Sequence, residues 1–275
     1  MSTKSILITG CSSGIGLHAA LTLSARGYQV FATARKAQDV ATLQAKGLTA
    51  YQLDLTQPES ITQTVAQVLE ATGGRLDFVF NNGAYGQLGA LEDLPTQALR
   101  EQFETNVFGW HELTKQIIPV MKRQGHGRII QCSSVLGFVS MAYRGAYNAS
   151  KYAIEGLADT LRLELKTANI AVVLLEPGPI NSQFRANALT ALQANIDIEA
   201  SDHKQQYLQQ IERLSSEKSN AAFTLEAIDV TQALIHALES KRPKLRYRIT
   251  TPTKIFAVFK RILPARWLDY LLAKG

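Results

Sequence analysis

The sequence is poor in the features that mark secreted, metal-binding and membrane-spanning proteins. Only two of its 275 residues are cysteines, Cys11 and Cys132, and both lie at the ends of predicted strands. We therefore expect small buried residues rather than a disulfide or a metal site. The five histidines have no ligand spacing, so no metal is expected. No segment approaches the ~18 uninterrupted apolar residues that a membrane-spanning helix needs.

The remaining composition excludes further classes of protein. The N-terminus lacks a charged and then apolar signal peptide, which makes the cytoplasm the expected location. The net charge of +6 is modest and spread along the chain, so no nucleic-acid partner is expected. A hydrophobic content of 46% and a charged content of 19% suit one folded domain over residues 1–275.

Strand-like and helix-like segments alternate along the first 175 residues. Most of the strand-like runs are apolar throughout, as expected when helices cover both faces of a sheet. The alternation predicts an α/β fold with a doubly wound parallel sheet and right-handed crossovers. The predicted strands are 5–8, 28–34, 48–55, 76–80, 128–132 and 170–175, and the predicted helices are 17–26, 58–72, 95–104, 107–123 and 146–167.

Polar and small residues follow the predicted strands. In a doubly wound sheet the ligand binds beyond the carboxyl ends of the strands, so these residues are expected to converge on one site. They are Gly10, Arg35, Asp54, Asn81, Ser134 and Pro177.

A glycine-rich turn joins the first predicted strand to the first predicted helix. Its spacing is G-x-x-x-G-x-G, at Gly10, Gly14 and Gly16. A strand, a glycine-rich turn and a helix N-terminus together present backbone N–H groups to a pyrophosphate. Gly10 allows a tight exit from the strand, while Gly14 and Gly16 allow close approach of a ligand and of the helix.

Tyr147 and Lys151 are four residues apart on a predicted helix, and Ser134 lies thirteen residues before the tyrosine. Residues at this spacing share one helix face, so both can act on one substrate. A nearby ammonium favours the phenolate and brings the pKa of the tyrosine toward neutrality. Such a tyrosine exchanges a proton with an oxygen at cellular pH. The alternative for the pair alone is a solvated helix face.

Over residues 4–182 the chain resembles the short-chain dehydrogenase/reductase family, in the branch of retinol and 17β-hydroxysteroid dehydrogenases and bacterial aldehyde reductases. The resemblance implies a Rossmann-type fold and a nicotinamide cofactor. The family usually has Asn-Asn-Ala-Gly after the fourth strand, and here Gly83 precedes Ala84, so we expect a slightly altered turn. The motifs are Thr9–Gly16, Asp54, Asn81–Ala84, Asn106, Ser134, Tyr147, Lys151 and Pro177–Gly178.

The resemblance implies a role for each residue of the catalytic set. Tyr147 exchanges the proton with the substrate oxygen, and Ser134 donates a hydrogen bond to that oxygen. Lys151 lowers the pKa of Tyr147 and binds the nicotinamide ribose. Asn106 holds a water that links Lys151 to solvent, with a helix cap as the alternative.

The end of the second strand indicates the cofactor. An NAD enzyme places a carboxylate there, whereas this chain has Ala34 followed by Arg35 and Lys36. A guanidinium suits the 2′-phosphate of NADP, so NADP is expected; the alternative is a pair of solvated loop charges. The resemblance implies cofactor contacts from Gly10, Ser12, Ser13, Gly14, Ile15, Gly16, Arg35, Asp54, Leu55, Asn81, Gly83, Tyr147, Lys151, Pro177, Gly178 and Ile180.

The substrate is less well defined than the cofactor. Apolar loop residues favour a lipophilic carbonyl compound, although they could simply be packing. Residues 179–222 resemble a variable substrate lid. The expected reaction is reduction of a hydrophobic aldehyde or ketone; the alternatives are oxidation of a hydroxysteroid or retinol, and an NADP sensor without turnover. The apolar loop residues are Tyr85, Leu88, Leu91, Leu136, Phe138, Val139, Met141 and Tyr143.

The C-terminal residues 253–275 have apolar side chains at helical spacing and a basic face. Such a segment could lie on an anionic membrane, or pack on the substrate pocket or on a partner subunit. The family resemblance implies a dimer or a tetramer.

Overall fold

The computed structural model describes residues 3–215 and 223–273. Seven parallel strands form a single sheet. They are β1 (Ser5–Ile8), β2 (Gln29–Ala34), β3 (Thr49–Gln52), β4 (Phe78–Asn81), β5 (Gly127–Cys132), β6 (Ile170–Glu176) and β7 (Arg246–Arg248). The order across the sheet is β3-β2-β1-β4-β5-β6-β7, so the strand order reverses between β1 and β4. The predicted doubly wound parallel sheet is confirmed.

Helices cover both faces of the sheet, and the strands form the main hydrophobic core with them. In the described residues the helices are α1 (Gly14–Ala25), α2 (Ala37–Ala45), α3 (Pro58–Ala71), α4 (Thr96–Phe103), α5 (Gly109–Gln124), α6 (Gly145–Glu164), α7 (Phe184–Asn195), α8 (Lys204–Ser215), α9 (Ala227–Glu239), α10 (Thr251–Ile262) and α11 (Ala265–Leu272). Local sequence explains two of the helix boundaries. Helix α3 begins with Pro58, and α5 is followed by Gly125, whose φ of 76° is left-handed.

Several elements differ from the sequence-based expectation, and helices α2 and α9 were not predicted. Strand β7 was not predicted, because its three residues, Arg-Tyr-Arg, have no apolar run. The segment predicted as two helices is one continuous run, in which a π-helical turn over Glu104–Phe108 joins α4 to α5. Single π-helical turns inside α-helices are frequent at functional sites.

Two segments cover the carboxyl edge of the sheet. The predicted lid contains α7 and α8, which pack with Leu88 and Ala90 in a second hydrophobic cluster; its residues 216–222 lie outside the described residues. The C-terminal helices α10 and α11 pack on Leu136 and Val139 in a third cluster. In the described part of the chain, no helix is long and apolar enough to cross a membrane.

Both cysteines are free and buried, as predicted. Burial raises the pKa of the Cys11 thiol to about 12, so it is a poor nucleophile. Among residues 3–215 and 223–273, no group of three or more His, Cys, Asp or Glu side chains could hold a metal ion.

Candidate active site

A cavity of about 650 Å³ lies at the carboxyl edge of the sheet, where the strand order reverses. It contains three of the four predicted catalytic residues, Ser134, Tyr147 and Lys151, but Asn106 does not line it. Eleven of the sixteen predicted cofactor residues also line it. They are Gly10, Ser12, Ser13, Gly14, Ile15, Gly83, Tyr147, Lys151, Pro177, Gly178 and Ile180.

The glycine-rich turn forms one end of the cavity and leads into the N-terminus of α1. Gly10 and Gly14 have φ values of 70° and 56°, which side chains with a Cβ rarely adopt. A Cβ at Gly16 would collide with the carbonyl oxygen of Gly10, so glycine lets α1 approach the turn. The first turn of α1 has no acidic side chain. This arrangement fits a dinucleotide pyrophosphate, because the helix N-terminus favours negative charge.

Thr9 and Asn82 hold the turns after β1 and β4 together. The Thr9 hydroxyl accepts hydrogen bonds from the backbone N–H groups of Asn82 (2.9 Å) and Gly83 (2.8 Å). The Asn82 amide donates to the carbonyls of Thr9 and Gly10 at 3.0 and 3.1 Å. The turn at Gly83 is therefore anchored by hydrogen bonds of both Thr9 and Asn82. These bonds accommodate the order Gly83-Ala84 in the turn.

Asn81 was predicted to contact the cofactor, but it does not line the cavity. Asn81 is the last residue of β4, is fully buried, and donates to Thr114 Oγ1 at 3.0 Å. Asn82, the next residue, lines the cavity instead. Successive residues of an extended chain point in opposite directions, so the two asparagine side chains have different surroundings. A contact between Asn81 and a cofactor stays a prediction.

Tyr147 lies in the wall of the cavity, with its ring 5.2 Å from the ring of Phe184. Burial raises the pKa of the Tyr147 phenol above its ordinary value, while a hydrogen bond with Ser134 and the charge of Arg144 act to lower it. The phenol is therefore protonated at neutral pH. The Ser134 hydroxyl also accepts a hydrogen bond from the Leu136 N–H at 3.1 Å, which holds it between Leu136 and Tyr147.

Lys151 is almost fully buried one helical turn after Tyr147. Its ammonium donates to the carbonyl of Cys132 at 2.7 Å. Burial lowers the pKa of Lys151 to about 8, because the charged form loses its hydration. The Lys151 ammonium also lies 5.6 Å from the centre of the Tyr147 ring. Its effect on the pKa of the Tyr147 phenol stays a prediction.

Asn106 lies on the π-helical turn and is fully buried. Its amide donates to the Tyr85 carbonyl at 3.0 Å and to Ser150 Oγ at 3.2 Å, and its oxygen accepts from the Tyr85 N–H. The residue is therefore not a helix cap. It joins the loop after β4 to α6, and its contact with a water near Lys151 stays a prediction.

Four further predicted cofactor residues lie outside the cavity lining. Gly16 packs on Gly10, and Leu55 is buried against Gly109. The Asp54 carboxylate accepts from the Thr56 N–H (2.9 Å) and hydroxyl (2.8 Å) within its own turn. Arg35 is exposed directly after β2, and its carbonyl accepts from Gln52. Asp54 and Arg35 still follow their strands at the same edge of the sheet, so their contacts with a cofactor stay predictions.

The far end of the cavity is largely apolar. Of the predicted apolar loop residues, Leu88, Leu136, Val139 and Met141 line it, whereas Leu91 is 68% exposed. The lid and the C-terminal helices supply lining residues that sequence reasoning missed. The apolar ones include Phe184, Leu214, Phe256, Leu271 and Leu272. The C-terminal segment therefore packs on the cavity, one of the three alternatives for it.

Three arginines, Arg144, Arg185 and Arg213, also line this end of the cavity. Sequence analysis did not single them out, because each is an isolated charge in a polar stretch. The fold brings them together from three separate segments.

Known proteins resemble this chain over almost its full length. The family model described as short chain dehydrogenase matches residues 4–193. The "uncharacterized oxidoreductase YbbO" of Escherichia coli strain K12 is 40% identical over 98% of this chain and 94% of its own length. Human retinol dehydrogenase 8 is 35% identical, covering 88% of this chain and 80% of the relative.

Solved structures share the fold. A short-chain dehydrogenase/reductase from Burkholderia phymatum, in complex with NAD, has a TM-score of 0.78 at 24% identity, covering 95% of this chain and 92% of that one. A short-chain dehydrogenase from Burkholderia cenocepacia, in complex with NADP, has a TM-score of 0.75 at 19% identity and covers 98% of both chains. From its sequence and its fold, this chain belongs to the short-chain dehydrogenase family.

Proposed function

We propose that this oxidoreductase uses NADPH to reduce a lipophilic aldehyde or ketone to the alcohol. One observation carries the proposal: Ser134, Tyr147 and Lys151 line the same cavity as the glycine-rich turn, and its other end is largely apolar. Such a cavity can hold a carbonyl group between a proton donor and a cofactor while burying a hydrophobic substrate.

When bound, the nicotinamide supplies the hydride. Tyr147 gives its phenolic proton to the substrate oxygen, and Ser134 donates a hydrogen bond to the same oxygen. Lys151 holds positive charge beside this pair and is expected to bind the nicotinamide ribose. The residues of the glycine-rich turn and the N-terminus of α1 would hold the pyrophosphate.

The reductive direction is supported by the protonation state of Tyr147. Because burial raises the pKa of its phenol, Tyr147 at neutral pH carries the proton that carbonyl reduction consumes.

NADPH rather than NADH is supported by Arg35. It directly follows Ala34, the last residue of β2, which occupies the position where an NAD enzyme has an acidic residue. An exposed guanidinium there is free to form charge-assisted hydrogen bonds with a 2′-phosphate.

The direct experiment is a cofactor oxidation assay with the purified protein. NADPH and NADH are compared with aliphatic aldehydes, retinal and steroid ketones as substrates. We expect turnover with NADPH on at least one lipophilic class, and a kcat/KM lower by roughly tenfold or more with NADH. A preference for NADH would contradict the cofactor assignment.

Oxidation of retinol is the second candidate, because the name of one relative, retinol dehydrogenase 8, points to it. It is tested with NADP and retinol or a hydroxysteroid in the same assay. A kcat/KM for oxidation above that for reduction would favour this candidate. Tight NADPH binding with no turnover in either direction would instead favour a sensor, against which the complete Ser134, Tyr147 and Lys151 set argues.

A further inference from the structure

An arginine without an acidic partner lies in the substrate end of the cavity. Arg144 is the residue just before α6 and is partly buried. Its side chain contacts the sulfur of Met141 at 3.9 Å, and sulfur is a weak acceptor. Within residues 3–215 and 223–273, no carboxylate lies within ion-pair distance of Arg144.

The two arginines of β7 differ in this respect. Arg246 pairs with Asp159 at 2.8 Å and with Glu176 at 3.0 Å, and Arg248 pairs with Glu176 at 3.3 Å. Arg128, another partly buried arginine, has no carboxylate partner but donates to the backbone carbonyls of Ala237 and Ser240. Among the described residues, Arg144 has only the Met141 sulfur as an acceptor. A guanidinium removed from water without a counter-ion is destabilising, which makes Arg144 an exception to be explained.

The surroundings of Arg144 are positive as well. Burial lowers the pKa of Arg144 to about 10, and the nearby charge of Arg213, from α8, contributes to this lowering. Arg185 donates a hydrogen bond to the Arg213 carbonyl. Arg185 and Arg213 make further interactions, so we base the inference on Arg144. At neutral pH Arg144 still carries its charge.

The position of Arg144 relative to Tyr147 defines what it can contact. The two residues are three apart at the start of α6 and both line the cavity, so they share one side of the helix. A substrate with its carbonyl group at Tyr147 extends along the apolar wall past Arg144. A second polar group on that substrate would meet the guanidinium.

We propose that Arg144 determines substrate specificity by binding a carboxylate, so that the substrate is a lipophilic oxo acid such as an oxo fatty acid. A guanidinium and a carboxylate match in shape, form paired hydrogen bonds, and neutralise each other in a site of low dielectric. The apolar residues Leu88, Met141 and Leu214 would bury the alkyl chain between the two polar ends. This inference rests on the proposed carbonyl reductase function.

The test compares an ω-oxo fatty acid with its methyl ester, using NADPH and the full-length enzyme. For the wild type we expect kcat/KM for the acid to exceed that for the ester by about tenfold or more. In Arg144→Met the ratio of the two values should fall by at least about tenfold, while Arg144→Lys should retain part of it. Both substrates use Tyr147, so the ratio cancels any effect of the substitution on this residue.

Arg100→Met is the matched control, because Arg100 is exposed on α4 and does not line the cavity. This variant should keep the wild-type ratio. A ratio near one for the wild type, or an unchanged ratio in Arg144→Met, would overturn the inference while leaving carbonyl reduction intact.

A binding measurement separates this inference from the proposed function. Calorimetry compares a saturated fatty acid with its methyl ester on the NADPH-loaded protein, which requires no turnover. Tighter binding of the acid that is lost in Arg144→Met, with an unchanged thermal unfolding midpoint, supports carboxylate recognition even if no aldehyde is reduced. Equal binding of acid and ester contradicts it.

Discussion

The ammonium of Lys151 lies 4.5 Å from the centre of the Trp110 ring. Trp110 is the second residue of α5, directly after the π-helical turn, and its indole N–H donates to the Gly83 carbonyl at 2.8 Å. One side chain therefore contacts both Lys151 and the turn after β4. A cation over an aromatic face favours the charged form, which opposes the loss of charge that burial causes.

Replacing Trp110 should change the pH dependence of the reaction. Trp110→Leu removes a contact worth about 1 kcal/mol, so kcat should fall roughly fivefold. The pKa of Lys151 should fall further below about 8, and the alkaline limb of kcat/KM should move to lower pH. Trp110→Phe keeps an aromatic face and should keep the limb near its wild-type position. An equal shift in both variants would contradict a role for the ring.

Removing the Tyr147 hydroxyl should stop the reaction without affecting cofactor binding. We expect Tyr147→Phe to lower kcat by about 10²–10⁴, the usual contribution of a positioned acid, while the Kd for NADPH changes little. Tyr152→Phe, on the same helix and 38% exposed, is the matched control and should be fully active. Activity in Tyr147→Phe would remove this residue from the mechanism.

Charge reversal at Arg35 should alter the choice of cofactor. In Arg35→Asp a carboxylate repels the 2′-phosphate, so kcat/KM with NADPH should fall by about tenfold or more relative to NADH. Lys46→Asp, an exposed charge reversal just after α2, should leave the cofactor preference unchanged. A variant that still prefers NADPH would show that another residue selects the cofactor.

Glu155 should make stability depend on pH. Burial and the nearby charge of Glu176 raise its pKa to about 7, despite hydrogen bonds from Arg246. A carboxyl group whose pKa is raised in the folded state stabilises the fold at pH values below its ordinary pKa. This stabilisation is lost as the pH rises to about 7. The free energy of unfolding of Glu155→Gln, measured relative to that of the wild type, should therefore rise by about 1–3 kcal/mol between pH 4 and pH 8.

Asp159 provides the control of opposite sign for this measurement. It is bonded to the same Arg246, at 2.8 Å, and its pKa is lowered. Its stabilisation is present at neutral pH and is lost as the pH falls, so Asp159→Asn should lose stability relative to the wild type at neutral pH. Denaturant unfolding at several pH values measures both variants, and parallel pH profiles for the two would contradict this assignment.

The C-terminal helices offer two surfaces that can be separated by mutation. Phe256 lines the cavity, and Phe256→Ser should raise KM for lipophilic substrates by roughly tenfold. Trp267 is 65% exposed, and Trp267→Ser should leave KM unchanged. If the basic and apolar outer face binds anionic liposomes, as the sequence analysis considered, Trp267→Ser should weaken that binding. No liposome binding by the wild type would exclude this role.

Some of the elements were predictable from local sequence alone. Strand β1 was predicted with its observed bounds, because a β-branched run followed by a glycine turn has few other conformations. Strand β7 was not predictable, since it is stabilised by partners remote in sequence. Arg246 and Arg248 pair with Glu176, seventy or more residues earlier, and Tyr247 is buried against the sheet.

The candidate site likewise combines features that the sequence predicts with features that depend on the tertiary structure. The convergence of the strand ends on one edge follows from parallel strand order, which the alternation of elements predicts. Whether Asn81 or Asn82 enters the cavity depends on strand pleat and register, which a single residue reverses. The direction of the Tyr147 pKa shift depends on burial and on Ser134 and Arg144 together, and sequence spacing does not measure burial.

The sequence by itself determined the sheet, the glycine-rich turn and the Ser134, Tyr147 and Lys151 set, because these depend on local propensity and on spacing along one helix or turn. Only the tertiary structure decided which side chains enclose the substrate. Arg144, Arg213 and Phe256 reach one cavity from segments far apart in the chain. Such a cavity is formed by packing between elements, and packing depends on how the whole chain folds.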